Sequence, residues 1–127
     1  MHTVIATAAL PLFLGALLSD WAYSSSYQVQ WTNFASWLTA GGLVFAGLAL
    51  LWAAVDALRL RAARQGRGAV YLLLLLGTVV IGFINALVHA RDGWAVMPSG
   101  LILSAIVLLL AAAASVLGLM ALPRRTA

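Results

Sequence analysis

A few polar side chains that could carry acid–base or ligand chemistry stand out in a mostly apolar chain. Asn85 and His89 are four residues apart, which puts them on one face of a helix. Asp20 ends an earlier apolar run and is expected at a similar depth, and Arg91 and Asp92 directly follow the histidine's run. Asp20, Asn85 and His89 therefore form the predicted cofactor-binding site, suited to hydrogen-bonding a quinone headgroup, holding a haem or relaying protons.

The same residues also have structural alternatives. Polar side chains between membrane helices commonly hydrogen-bond one another, and Asp20 and His89 both sit at run ends where water is near. An Asp20–His89–Asp92 cluster could bind a divalent metal, but Asp92 can simply pair with Arg91. Structural hydrogen bonding and a ligand or proton role both stay open, and we predict no metal site.

The second histidine is badly placed to share a haem with the first. His2 opens the first apolar run, whereas His89 closes the third. If each run crosses the bilayer once, roughly 30 Å of hydrocarbon separates the two side chains. One haem iron cannot bind both within a subunit, so only a single-ligand haem, or one shared with another subunit, is left.

No enzyme motif is present in the sequence. The chain has no serine–histidine pair, paired catalytic carboxylates, glycine-rich phosphate loop or metalloprotease pattern. It also has no cysteine, which excludes disulfides, thiolate metal sites and iron–sulfur clusters. We therefore predict that the protein is not an enzyme.

Four apolar runs must position these polar residues. Each run is close to the length of about 20 residues that a membrane-spanning helix needs. They lie near residues 3–22, 36–58, 69–90 and 99–121 of the 127-residue chain. Hydrophobic residues make up 65% of the chain and the mean hydropathy is +1.07, as expected of a protein that folds in lipid. The short links predict one all-α domain, an integral membrane four-helix antiparallel bundle.

The basic residues predict the orientation of this bundle. All of them are arginines: Arg59, Arg61, Arg64 and Arg67 lie around the second link, Arg124 and Arg125 in the tail, and Arg91 in the third link. The positive-inside rule then places both termini in the cytoplasm. This distribution explains the net charge of +4 without a nucleic-acid partner.

An aromatic segment is expected on the outer side, at residues 23–35. Tyr23, Tyr27 and Trp31 are spaced by four, which predicts a short helix with one aromatic face lying in the interface. Residues 27–31 also alternate with period two, so an extended segment is the alternative. The segment either anchors the protein in lipid or docks a partner.

Small and weakly polar residues predict which helix faces pack inward, because they let helix backbones approach closely in lipid. The four predicted stripes are Thr7, Pro11, Gly15 and Ser19; Gly42, Ala46, Ala49 and Ala53; Thr78, Gly82, Asn85 and His89; and Ser104, Ala111, Ser115 and Gly118.

Most of the chain resembles a family of small bacterial four-span membrane proteins of unknown function. The stretch from Leu10 through Pro11 to Asp20 is similar to the opening span of that family. The segments from Trp37 to Arg59 and from Ser99 to Gly118 resemble its second and fourth spans. Family members often carry a His-Pro pair before the first span, which this chain lacks. The resemblance implies four spans in a bacterial inner membrane and no particular chemistry.

Three functions fit these observations. The first is a non-catalytic accessory subunit or membrane anchor of a larger complex, respiratory or otherwise redox-active, with other membrane subunits or further copies of the chain as partners. The second is a small redox protein that binds haem or quinone near Asp20, Asn85 and His89. The third is an oligomeric transporter or channel component, since one copy offers few groups for a pathway.

Overall fold

Four long helices account for nearly all of the part of the chain that the structure describes. The computed structural model describes residues 2–59, 67–90 and 98–120. The helices are α1 (His2–Ser26), α2 (Val29–Arg59), α3 (Arg67–His89) and α4 (Ser99–Met120). Each contains a stretch long and apolar enough to cross a membrane, as in a multi-pass membrane protein. The predicted all-α bundle of four helices is confirmed.

The helices pack as a ring in chain order. Each helix lies against the next one, and α4 closes the ring by packing against α1, while the diagonal pairs touch only weakly. This is the arrangement expected when short links join antiparallel neighbours. A side chain on the inner face of one helix therefore meets its diagonal counterpart only at the centre of the bundle.

The register of the four helices follows from how large side chains fit against glycines. The ring of Phe13 lies so close to Gly42 that a Cβ there would be 2.5 Å from Cε1. A Cβ on Gly82 would be 2.7 Å from Cδ2 of Leu43 and 3.8 Å from Cγ1 of Val107. These contacts put Phe13, Gly42, Gly82 and Val107 at one level of the bundle. Levels above and below can be counted from this one along each helix.

The predicted inward faces are right for three helices, whereas in the first helix only Ser19 of the predicted stripe is buried. All predicted stripe residues of α2, α3 and α4 are buried. In α1, Pro11 is exposed, and Thr7 and Gly15 are only partly buried. The buried face of α1 is instead Thr3, Ala6, Ala9, Phe13, Ala16, Ser19, Asp20 and Tyr23. The Thr7 hydroxyl donates to the carbonyl of Thr3 on its own helix at 2.8 Å, so it needs no partner in the core.

The segment 23–35 also differs from the expectation, because it forms no separate helix. Residues 23–26 complete α1 and residues 29–35 begin α2. Ser24, Ser25 and Ser26 lie in the last turn of α1, and their hydroxyls donate to carbonyls one turn earlier on the same helix. Tyr27 then ends the helix with a left-handed φ of 55°, and its N–H donates to the Tyr23 carbonyl at 2.7 Å.

A polar contact crosses the bundle diagonal near each end. At one end the hydroxyl groups of Thr3 on α1 and Tyr71 on α3 are hydrogen-bonded. Gly118 of α4 makes room for them, since a Cβ there would lie 2.8 Å from Cε2 of Tyr71. At the other end, beside the turn at Tyr27 and called the turn end below, the diagonal contact joins Asp20 to His89. The 17 to 18 residues between the two contacts correspond to about 26 Å along the helices.

Candidate functional site

The turn end of the bundle contains a cluster of four buried polar side chains, called the polar cluster below. Its members are Asp20 from α1, Asn85 and His89 from α3, and Ser104 from α4. Asp20 is 0% exposed, Asn85 1%, Ser104 2% and His89 6%. Burying four polar groups together costs free energy unless they satisfy one another.

Hydrogen bonds connect the four side chains in a chain of contacts. Nε2 of His89 lies 2.6 Å from Oδ1 of Asp20. Oδ2 of Asp20 accepts a short hydrogen bond from the Ser104 hydroxyl. The Ser104 oxygen accepts in turn from Nδ2 of Asn85 at 2.9 Å. The contacts tie α1, α3 and α4 together at the turn end of the bundle.

The bonding pattern determines how many protons the Asp20–His89 pair holds. Nδ1 of His89 lies 2.8 Å from the backbone carbonyl of Asn85, and a carbonyl can only accept, so Nδ1 carries a hydrogen. Oδ2 of Asp20 already accepts from Ser104. A single further proton therefore lies between Nε2 and Oδ1. Imidazolium with carboxylate, or imidazole with carboxylic acid, both describe the pair, and both are neutral overall.

Small residues at the other two corners let this diagonal pair meet. We count levels from the one that contains Phe13, Gly42, Gly82 and Val107. Two helical turns nearer the turn end, the four helices contribute Asp20, Ala35, His89 and Gly100. All four of these residues are buried. Ala35 and Gly100 have little or no side chain, so the acid and the imidazole reach each other across the centre. A large residue at either position would occupy that space.

The structure brings together the three residues that the sequence singled out. Asp20, Asn85 and His89 are joined within one network, whereas their predicted role in cofactor binding stays a prediction. Ser104 was not predicted as a site residue; it stood out only as a small packing residue. Arg91 and Asp92 lie outside the described residues, as do most of the arginines used for the topology and the side chain of His2.

The cluster as it stands does not fit a haem, and it offers an oxidised quinone few free donors. An axial ligand needs a free ring nitrogen, but Nδ1 and Nε2 of His89 both have partners. The carbonyl oxygens of a quinone need donors, and the Ser104 hydroxyl already donates to Asp20. The one atom of the cluster without a partner is Oδ1 of Asn85, which is an acceptor. Within the described residues, no group of three or more His, Cys, Asp and Glu side chains could hold a metal ion.

We expect Ser104→Ala to destabilise the bundle by about 1–3 kcal/mol, because it leaves Oδ2 of Asp20 and Nδ2 of Asn85 without partners. The measurement is the unfolding free energy of the purified protein in detergent. Ser115→Ala is a matched control on the same helix, since the buried Ser115 hydroxyl has no partner to lose. It should be neutral or stabilising, and an equal loss in both variants would contradict the role assigned to Ser104.

Comparison with known proteins finds no matching family model, no matching curated protein and no matching solved structure. The resemblance to small bacterial four-span membrane proteins therefore stays a prediction. What can be argued about function comes from the polar cluster and its place in the bundle.

Proposed function

We propose that the protein is an accessory subunit of a larger, redox-active complex in a bacterial inner membrane, and that its Asp20–His89 pair holds an exchangeable proton. The arginine distribution supports an orientation with both termini in the cytoplasm and the polar cluster near the outer surface. The partners are other membrane subunits of that complex.

The observation that carries this proposal is the buried contact of 2.6 Å between Oδ1 of Asp20 and Nε2 of His89, which requires a proton between the two atoms. Ionisable side chains are costly within a membrane-spanning bundle, so they are functional candidates by default. A pair that is neutral overall avoids most of that cost. It can take up a second proton when a neighbouring group in the complex becomes more negative, as a redox centre does on reduction.

We favour the subunit role over an independent redox protein because the hydrogen-bonding groups of the polar cluster already bond to one another. Both ring nitrogens of His89 already have partners, so a bound haem would have to displace one of them, and the Ser104 hydroxyl that could donate to a quinone already donates to Asp20. Proton exchange requires no such displacement. The redox centre itself is therefore assigned to a partner subunit.

The test has two parts, and the first is isolation of the protein from its native membrane in a mild detergent. We expect it to co-purify with membrane subunits that carry a redox centre. The isolated assembly is then reduced and reoxidised while its infrared difference spectrum is recorded. We expect carboxyl and imidazole bands that are absent from the Asp20→Asn variant.

Asp56→Asn provides the matched control, because Asp56 is an acid at the opposite end of the bundle. This variant should retain all the bands that Asp20→Asn loses. A protein that purifies without any redox-active partner would contradict the subunit role. Identical redox difference spectra for the wild type and Asp20→Asn would contradict the proton-holding role.

A further inference from the structure

We infer that a water molecule binds between Asn85 and Thr39 in the centre of the bundle and connects α2 to the polar cluster. The cluster joins α1, α3 and α4 by direct hydrogen bonds, whereas α2 contributes no side chain to them. This site goes beyond the proposed function, since it rests on the hydrogen-bonding needs of two buried groups and does not require proton exchange.

The first observation is an unpartnered acceptor. Oδ1 of Asn85 is fully buried and has no hydrogen-bond partner, although Nδ2 of the same amide donates to Ser104. A buried acceptor without a partner keeps the full cost of losing its water, so such atoms usually bind an ordered water. Oδ1 of Asn85 therefore requires a donor.

The second observation is an unpartnered hydroxyl on the facing helix. Thr39 is 0% exposed, and its Oγ1 has no partner. Hydroxyls on helices usually donate to a carbonyl one turn earlier on their own helix, as those of Thr7, Ser36 and Thr78 do here. Since Thr39 does not, its hydroxyl is available to a group outside its own helix.

The register puts these two groups at the same level. The level one turn of three residues nearer the turn end than Phe13, Gly42, Gly82 and Val107 contains four buried residues. They are Ala16, Thr39, Asn85 and Ser104. The fourth corner, Ala16, presents only a methyl group. Asn85 and Thr39 have no direct hydrogen bond to each other, and a single water can serve both. It donates to Oδ1 of Asn85 and accepts from Oγ1 of Thr39, which gives it the minimum of two polar partners.

The deciding experiment compares the effects of removing the Thr39 hydroxyl and a control hydroxyl from the full-length protein in detergent. If the Thr39 hydroxyl binds the water, Thr39→Val should lower the melting temperature by about 5 °C. Thr78→Val is the control, because that hydroxyl bonds only to Leu74 of its own helix, and it should change the melting temperature much less. An unchanged or raised melting temperature in Thr39→Val would overturn the inference, since removing a hydroxyl without any partner is neutral or stabilising.

A second measurement detects the water itself. The infrared spectrum of the wild type should contain a sharp O–H stretching band that shifts when the sample is equilibrated with water labelled with oxygen-18. Thr39→Val and Asn85→Leu should both lose this band, while Thr78→Val keeps it. If the Thr39→Val spectrum matches that of the wild type, no water is shared between the two residues. If Asn85→Leu does not fold, the comparison of Thr39→Val with Thr78→Val still decides the question.

Discussion

Replacing Asp20 by alanine is expected to destabilise the bundle by about 3 kcal/mol, because the change leaves two buried groups unpaired at about 1–3 kcal/mol each. The groups are Nε2 of His89 and the Ser104 hydroxyl, which both bond to the Asp20 carboxyl. Single hydrogen bonds between membrane helices are often worth only about 0.6 kcal/mol. The expected loss of stability is larger here because one carboxyl is hydrogen-bonded to side chains on two other helices within the core.

Asp20→Asn separates the structural role of this residue from its proton. The amide has the shape of the carboxyl; its oxygen can accept from Ser104 and its nitrogen can donate to Nε2 of a neutral His89. The variant should therefore lose no more than about 1 kcal/mol, since both hydrogen bonds persist without a titratable group. Chemical or thermal unfolding in detergent provides the comparison.

Two results would contradict the assigned geometry. The first is an equal loss of stability in Asp20→Ala and Asp20→Asn, because that would make the carboxyl's charge, and not its bonds, the stabilising feature. The second is strict additivity of Asp20→Ala and His89→Ala. Two residues joined by a buried hydrogen bond should show coupling, with the double variant less destabilised than the sum of the single ones.

Part of the polar cluster could be predicted because the distance of a residue from the end of its helix indicates its depth in the bundle. Asp20 lies at the end of the first apolar run and His89 at the end of the third, and antiparallel spans place these two ends at the same side of the bundle. Asn85 followed from helical spacing. Ser104 could not be predicted in the same way, since a serine in an apolar helix serves equally well as a small packing residue or as a hydrogen-bond donor.

The inward face of α1 could not be predicted for a related reason. In a helix that is apolar on all sides, the spacing of small residues gives several equally good faces. The stripe through Pro11 and Gly15 was one of them, and the face through Ala9, Phe13 and Ala16 was another. The choice depends on whether a large side chain finds a matching gap on a neighbouring helix, which the sequence of α1 alone does not contain.

Three serines made the boundary of α1 equally hard to predict. A run of Ser24, Ser25 and Ser26 is typical of a turn, and the predicted apolar run near residues 3–22 ends before it. In the structure all three serines belong to α1, and their hydroxyls donate to carbonyls of the preceding turn. The helix ends one residue later, at Tyr27, through a backbone conformation that only the three-dimensional structure reveals.

The contact between Phe13 and Gly42 sets the register on which both the polar cluster and the water site depend, and its loss should have the largest effect in the apolar core. Phe13 is 2% exposed, and Phe13→Ala should cost about 3–5 kcal/mol because it opens a cavity that its neighbours fill only partly. The measurement is again the unfolding free energy in detergent.

The opposite change, Gly42→Ala, should cost about 1–3 kcal/mol, because the added Cβ would lie 2.5 Å from Cε1 of a ring that has no free space. Gly47→Ala is the control on the same helix, since nothing lies within 4 Å of its added Cβ. It should be neutral, or stabilising by up to about 1 kcal/mol through its helix propensity. A large loss of stability in Gly47→Ala would show that alanine disturbs the helix itself, so that the effect of Gly42→Ala could not be assigned to its contact with Phe13.

Combining the two changes tests whether Phe13 and Gly42 determine the register together. In the Phe13→Ala background the ring is gone, so Gly42→Ala no longer clashes and its methyl group fills part of the cavity. The second substitution should then be neutral or stabilising, although it is destabilising by itself. This reversal of sign is what a direct contact requires, because variants at independent sites add. If Gly42→Ala costs the same with and without the ring, the two helices do not meet at these residues, and the levels that place Asn85 opposite Thr39 would have to be counted anew.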